Sequence, residues 1–191
     1  MTFHSDMQIR KTKAAKMVML GIFTAAAIVL QSVENLAFPS SLPFRPGMAN
    51  IVSIIVIAVF GLKEAVAVTI IRTVLASLIT GKFMGIPFVL SFSGGLASTV
   101  IMGFLFTLTT NGGKLGITGL SIIGSTIHNL IQFLIISFFL IPGEGAFTLI
   151  PWLWLTALGA GCLTAAVCIP ALNIPVVKKL TMMKQDSSIF R

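Results

Sequence analysis

Between Lys16 and Ile169 the chain runs through six long apolar stretches: Lys16–Val33, Ala49–Leu62, Ala65–Thr80, Ile86–Thr109, Ile117–Ile141 and Phe147–Ile169. A helix needs about 20 mostly apolar residues to cross roughly 30 Å of hydrocarbon, and most of these stretches approach that length. Charged residues make up only 9% of the 191 positions, against about a quarter in ordinary soluble domains. A soluble chain of this size would lack the polar surface to cover its own core. The expected fold is therefore all-α: a polytopic membrane protein with six transmembrane helices in one bundle. The second and third stretches are short and separated by Lys63 and Glu64. One helix through both would bury that pair in lipid, which is costly, so a tight helical hairpin is expected.

The basic residues orient this bundle, because short cytoplasmic loops collect Lys and Arg. With six spans both termini share a side. That side holds ten of the 13 basic residues, from Arg10 to Lys16, at Lys63 and Lys114, and from Lys178 onward. The other side holds Arg45 and Lys82, and Arg72 lies inside the third span. Both termini are thus expected in the cytoplasm. The net charge of +8 reads mostly as a topology signal; a nucleic-acid partner has no clustered patch or aromatic platform to support it.

The chain divides into a basic cytoplasmic lead (1–15), the transmembrane domain (16–170) and a polar cytoplasmic tail (171–191). The first span resembles a signal peptide, but "QSVENLAF" follows it in place of a small-residue cleavage site, so a retained helix is expected. Trp152 and Trp154 open the sixth span, where an aromatic belt would put them. Cys162 and Cys168 lie six residues apart in that span, on different helix faces, which argues against a disulfide or a metal pair. There is no P-loop, GxGxxG, HExxH, CxxC or DDxxD motif. No enzyme activity and no cofactor are expected.

Polar residues inside the apolar stretches carry the functional signal. In "STIHNLIQF", His128, Asn129 and Gln132 crowd onto one side of a helix, which must face the bundle because lipid offers such groups no partner. Helix-to-helix glue needs one amide, so three hydrogen-bonding side chains in five residues favour a ligand-binding wall over glue. Arg72 in "AVAVTIIRTVLASLI" is costly at mid-membrane unless partnered. An anionic group on a substrate would suit its guanidinium; pairing with Glu34, or with exposed backbone carbonyls, is the structural alternative. Asn50, after the helix-breaking "PFRPGMA", can cap the second helix or point into a cavity, and Arg45 stands where it would steer an anion inward. "SFSGGLAS" spaces Ser91 with Gly95, and Gly94 with Ser98, for close helix packing. Gly21 and Ala25 form a further small-residue pair, packed within the bundle or offered to a partner.

In combination "VENLAFPSSLPFRPGMANIV", "GLKEAVAVTIIRTVLASLITG", "LSFSGGLAS" and "STIHNLIQF" resemble the bacterial family labelled Gx transporter, also catalogued as heptaprenyl diphosphate synthase component I. The resemblance spans about residues 15–170. More broadly the chain resembles the substrate-binding (S) components of energy-coupling factor (ECF) transporters. That resemblance implies a small-molecule substrate, vitamin-like or anionic, in a site formed by Glu34, Asn50, Arg72, His128, Asn129 and Gln132. It implies a transmembrane coupling protein and two cytoplasmic ATPases as partners within the lipid bilayer, with Gly21 and Ala25 at the docking face. The family's docking pattern is usually Ala-xxx-Ala, and here it is Gly21-xxx-Ala25. The synthase label instead implies a membrane accessory to a quinone, prenyl or flavin-linked redox pathway. The missing acidic metal motif counts against a synthase, and the absence of a nucleotide motif fits a subunit powered by others.

Overall fold

A computed structural model describes residues 2–37, 47–110, 116–139, 144–175 and 177–178. Every regular element among them is a helix: α1 (Thr2–Ala37), α2 (Asn50–Val59), α3 (Leu62–Ile79), α4 (Ile86–Thr110), α5 (Ile117–Phe139) and α6 (Ile150–Asn173), with a 3-10 turn over Glu144–Leu149 leading into α6. Helix α1 begins at Thr2 and runs through the basic lead without a break. The six expected helices are present. Among the described residues, four segments are long and apolar enough to cross a membrane: Ala14–Ala37, Ile86–Thr109, Ile117–Phe139 and Phe147–Asn173. Helix α3 is shorter, at 18 residues, and carries Lys63, Glu64 and Arg72.

Helix α2 departs most from the expected spans. Its ten residues reach only about 15 Å, half the hydrocarbon thickness. Seven of the ten are β-branched, a composition that disfavours helix in water. Here the backbone has no water to bond, so a helix is the way to satisfy its own N–H and C=O groups. All ten residues are buried. A junction of two residues, Phe60 and Gly61, joins α2 to α3, and Gly61 takes φ 120° there, a region that glycine enters freely. The break thus precedes Lys63 and Glu64, which lie in the first turn of α3; Glu64 pairs with Lys16 of α1 at 2.7 Å.

The other five helices form a curved row around α2. Helix α1 packs on α3, α3 on α4, α4 on α5 and α5 on α6, while α2 touches its neighbours from inside. Ile54, Val56 and Ile57 of α2 meet Ala27, Val68, Met102, Leu120 and Cys168 in one core cluster. Phe23 closes one end of this cluster edge-on to Phe60, with ring centroids 6.1 Å apart. The α5–α6 contact is close: a Cβ on Gly161 would fall 2.8 Å from the Cα of Ile122. The two cysteines are free, Cys168 buried and Cys162 exposed.

Polarity is inverted relative to a soluble fold. The outside presents large apolar side chains, among them Val18, Ile22 and Val29 on α1, Phe104 and Leu108 on α4, and Leu155 and Leu158 on α6. The inside holds Gln31, Glu34, Asn50, Arg72, His128, Asn129 and Gln132, each nearly or wholly buried. Lipid on the outside accounts for both halves of this arrangement. Trp152 and Trp154 face outward at the start of α6.

Candidate functional site

Because α2 is half a span long, its first residue, Asn50, stands inside the bundle. Arg72 reaches the same level, eight residues along α3 from Glu64, or about 12 Å. His128 lies near the middle of α5. Together with Glu34 and Gln31 of α1 and Ser91 of α4, these side chains line a polar cleft. The cleft measures about 220 Å³ in all, but only about 10 Å³ of it is wide enough for the centre of a water molecule, room for about one water.

A tight turn closes the cleft on one side. Asn50 N–H donates to the Gly47 carbonyl at 2.8 Å and Ile51 N–H to the Met48 carbonyl at 3.1 Å. Gly47 N–H donates to Glu34 Oε1 at 2.6 Å, holding the turn against the end of α1. Gly47 has φ 68°, and a Cβ there would sit 3.1 Å from the His128 ring. Glycine is required twice over, for the backbone conformation and for the close seat on His128. Asn50 does not cap α2, whose N-cap is Ala49. Its Oδ1 instead accepts from Arg72 Nη2 at 3.2 Å.

The floor of the cleft is satisfied within itself. Ser53, one turn beyond Asn50, and Thr69, one turn before Arg72, approach to 3.3 Å. Thr99 of α4 completes the ring at 3.0 Å from Thr69 and 3.4 Å from Ser53. The guanidinium above is not so provided. Arg72 is 2% exposed, and its Nε and Nη1 have no hydrogen-bond partner among the described residues, nor does Asn50 Nδ2. Glu34 acts on Arg72 through its charge, yet no ion pair at contact distance joins the two; the pair found at that distance is Lys16–Glu64. At contact distance Arg72 meets Asn50, while Glu34 acts on it from further away.

The two glycines of "SFSGGLAS" shape the cleft as well as the helix contact. A Cβ on Gly94 would fall 2.9 Å from the His128 carbonyl oxygen, and one on Gly95 would lie 3.5 Å from Arg72 Nη2. Gly94 admits α5, and Gly95 leaves the space the guanidinium fills.

Four residues singled out by sequence, Glu34, Asn50, Arg72 and His128, thus come together at one cleft. Gln132 stands behind them: its Nε2 is 2.6 Å from His128 Nε2. An amide nitrogen only donates, so His128 accepts there and, when neutral, carries its proton on Nδ1. Asn129 turns to α6, where its Nδ2 donates to Thr156 Oγ1 at 3.0 Å. Sequence reading does not single out Gln31; it marks Gly47 only as part of a helix-breaking loop and Ser91 only as a packing residue. Gln31 had a signal, since it lies three residues before Glu34 and so on the same helix face. Arg45 lies outside the described residues. Gly21 and Ala25 are away from the cleft, on the outer surface, where a groove of about 780 Å³ runs between α1 and α3. A Cβ on Gly21 would meet nothing within 4 Å.

These features define a class: a polytopic helical membrane protein with a buried polar cleft. The chain belongs to the family described as heptaprenyl diphosphate synthase component I, whose family model matches residues 23–169. That range holds every residue of the cleft and all of α2 to α5. Neither a curated protein nor a solved structure matches the chain.

Proposed function

We propose that the chain is the membrane-embedded, substrate-binding subunit of an ECF-type uptake transporter, taking a small vitamin-like or anionic compound. The observation that carries this reading is Arg72. A buried cation with N–H groups lacking acceptors is expensive to keep, and a bound molecule is the simplest reason to keep it. The cleft lies in the half of the bundle away from Lys16 and Glu64, which is the outer half if the basic residues orient the chain by the positive-inside rule. The chain carries no nucleotide-binding motif, in keeping with energy supplied by separate ATPases. The groove at Gly21 and Ala25 supplies a smooth face for a transmembrane coupling protein, since small residues let helix backbones approach closely. In this reading the protein binds and releases its substrate unchanged and is not an enzyme.

The family description names a component of a prenyl diphosphate synthase, and that favours a second reading, a membrane accessory subunit of a prenyl, quinone or flavin-linked redox pathway. Such a synthase needs clustered acids for magnesium, and the chain has no DDxxD sequence. Native mass spectrometry of the protein, gently extracted from its own membrane, separates the two. A retained stoichiometric small molecule, lost on replacing His128 and Arg72, supports the binding subunit. A bare chain that carries a prenyl-pathway or redox enzyme supports the accessory.

A further inference from the structure

We infer that the cleft recognises its ligand through a singly charged oxyanion group, a carboxylate or a phosphodiester, held by Arg72 and Asn50. This deepens the binding reading above and rests on it. The inference starts from a mismatch between donors and acceptors. Nε of Arg72 carries one N–H and Nη1 carries two; none has an acceptor among the described residues, and neither does the amide nitrogen of Asn50. Arg72 meets one neutral acceptor, Asn50 Oδ1. Both side chains are at least 98% buried, with 2% and 1% exposure, and both line the same cleft.

An arginine kept for structure is surrounded by carboxylates or backbone carbonyls that use its fork. The neighbouring hydroxyls of Ser53, Thr69 and Thr99 bond one another, and none of them accepts from Nε or Nη1. A neutral ligand would offer these N–H groups weaker acceptors than a charged one, and a cation would be repelled by Arg72. An oxyanion supplies both the charge and the lone pairs, and charge-assisted hydrogen bonds of this kind are the strong ones. Glu34 sets the limit on charge. Its carboxylate lines the same cleft, so a second negative charge on the ligand group is opposed at close range. The cleft as it stands has room for about one water, so either group enters only as the turn at Gly47 moves off Glu34.

The test uses the full chain in lipid nanodiscs and follows thermal unfolding. Sodium formate and sodium dimethyl phosphate are the probes, with sodium chloride at equal ionic strength as the control. One or both probes should raise the Tm of the wild type in a saturable manner while chloride does not, and the stronger of the two identifies the group. Arg72→Gln should abolish the shift. Arg72→Lys keeps the charge without the fork, and should bind about tenfold or more weakly. No shift in the wild type, with Arg72→Gln and Arg72→Lys both melting lower, would make Arg72 a structural cation and overturn the inference. The binding reading fails separately. If native mass spectrometry finds a neutral or cationic compound retained, the oxyanion assignment falls and the binding subunit stands. If the probes bind but the native chain retains no small molecule, the anion site stands and the transport reading falls. Where dimethyl phosphate wins, the mass of the retained species tells a phospholipid headgroup from a soluble phosphodiester.

Discussion

Gly94 and Gly95 are neighbours in sequence with opposite tolerances. Alanine is the better helix former by up to about 1 kcal/mol, so each replacement has a gain to set against any clash. At Gly95 the new methyl would sit in ordinary contact with Arg72 Nη2, 3.5 Å away. At Gly94 it would meet a backbone oxygen of α5 at 2.9 Å, and backbone cannot step aside without moving the helix. Gly95→Ala should leave Tm unchanged or slightly raised, and Gly94→Ala should lower it and weaken ligand retention through His128. Gly47→Ala carries a different penalty. Its left-handed φ of 68° costs an alanine about 1–2 kcal/mol, and the methyl presses on the His128 ring. Thermal unfolding of the three variants side by side ranks them; a Gly94→Ala protein as stable as wild type would contradict the close α4–α5 approach. The same local geometry explains a partial reading of "STIHNLIQF". Gln132 is four residues from His128, so it stacks directly on it, as the spacing requires. Asn129 is one residue on, about 100° around the helix, and that rotation is enough to hand it to Thr156 of α6.

Helix α2 draws its stability from its surroundings. An isolated ten-residue helix rich in β-branched residues would not form in water. Inside the bundle there is no hydrophobic gain over lipid for the packed face, so close van der Waals contact holds it. Ile54, with no exposed surface, is the centre of that contact. Ile54→Ala should cost about 2–5 kcal/mol through the cavity it leaves. Leu155→Ala on α6, 66% exposed, removes surface that faces lipid and should cost little. Comparing the Tm of the two variants checks whether α2 is core or periphery. Gly161 gives an independent reading of the α5–α6 seam. Its Cβ would strike the Cα of Ile122 at 2.8 Å, so Gly161→Ala should destabilise while Gly159→Ala, with nothing within 4 Å, should not.

At the scale of the whole molecule, we propose from the asymmetry of the basic residues that the start of α1 and the end of α6 share the cytoplasmic side. A reporter fused after Arg191 should be active only in the cytoplasm, and a cysteine placed at Phe83, in the α3–α4 turn, should be labelled only from outside. The opposite pattern would reverse the basic-residue assignment and turn the cleft inward. Hydropathy and the near absence of charge dictated the surrounding solvent, the all-helical class and the number of helices, because these follow from stretches of the chain taken one at a time. The polar residues that matter were also visible, since any Arg, Glu, Asn or His in an apolar run stands out. What sequence alone left undecided was their use. Arg72 meets Asn50 across 22 positions, and Glu34 holds Gly47 across 13. Only the stacking of the helices brings such pairs to one level. The cleft itself follows from α2 being half a span long, and where a helix stops relative to its neighbours is settled by packing among distant segments, not by the hydropathy of any one of them.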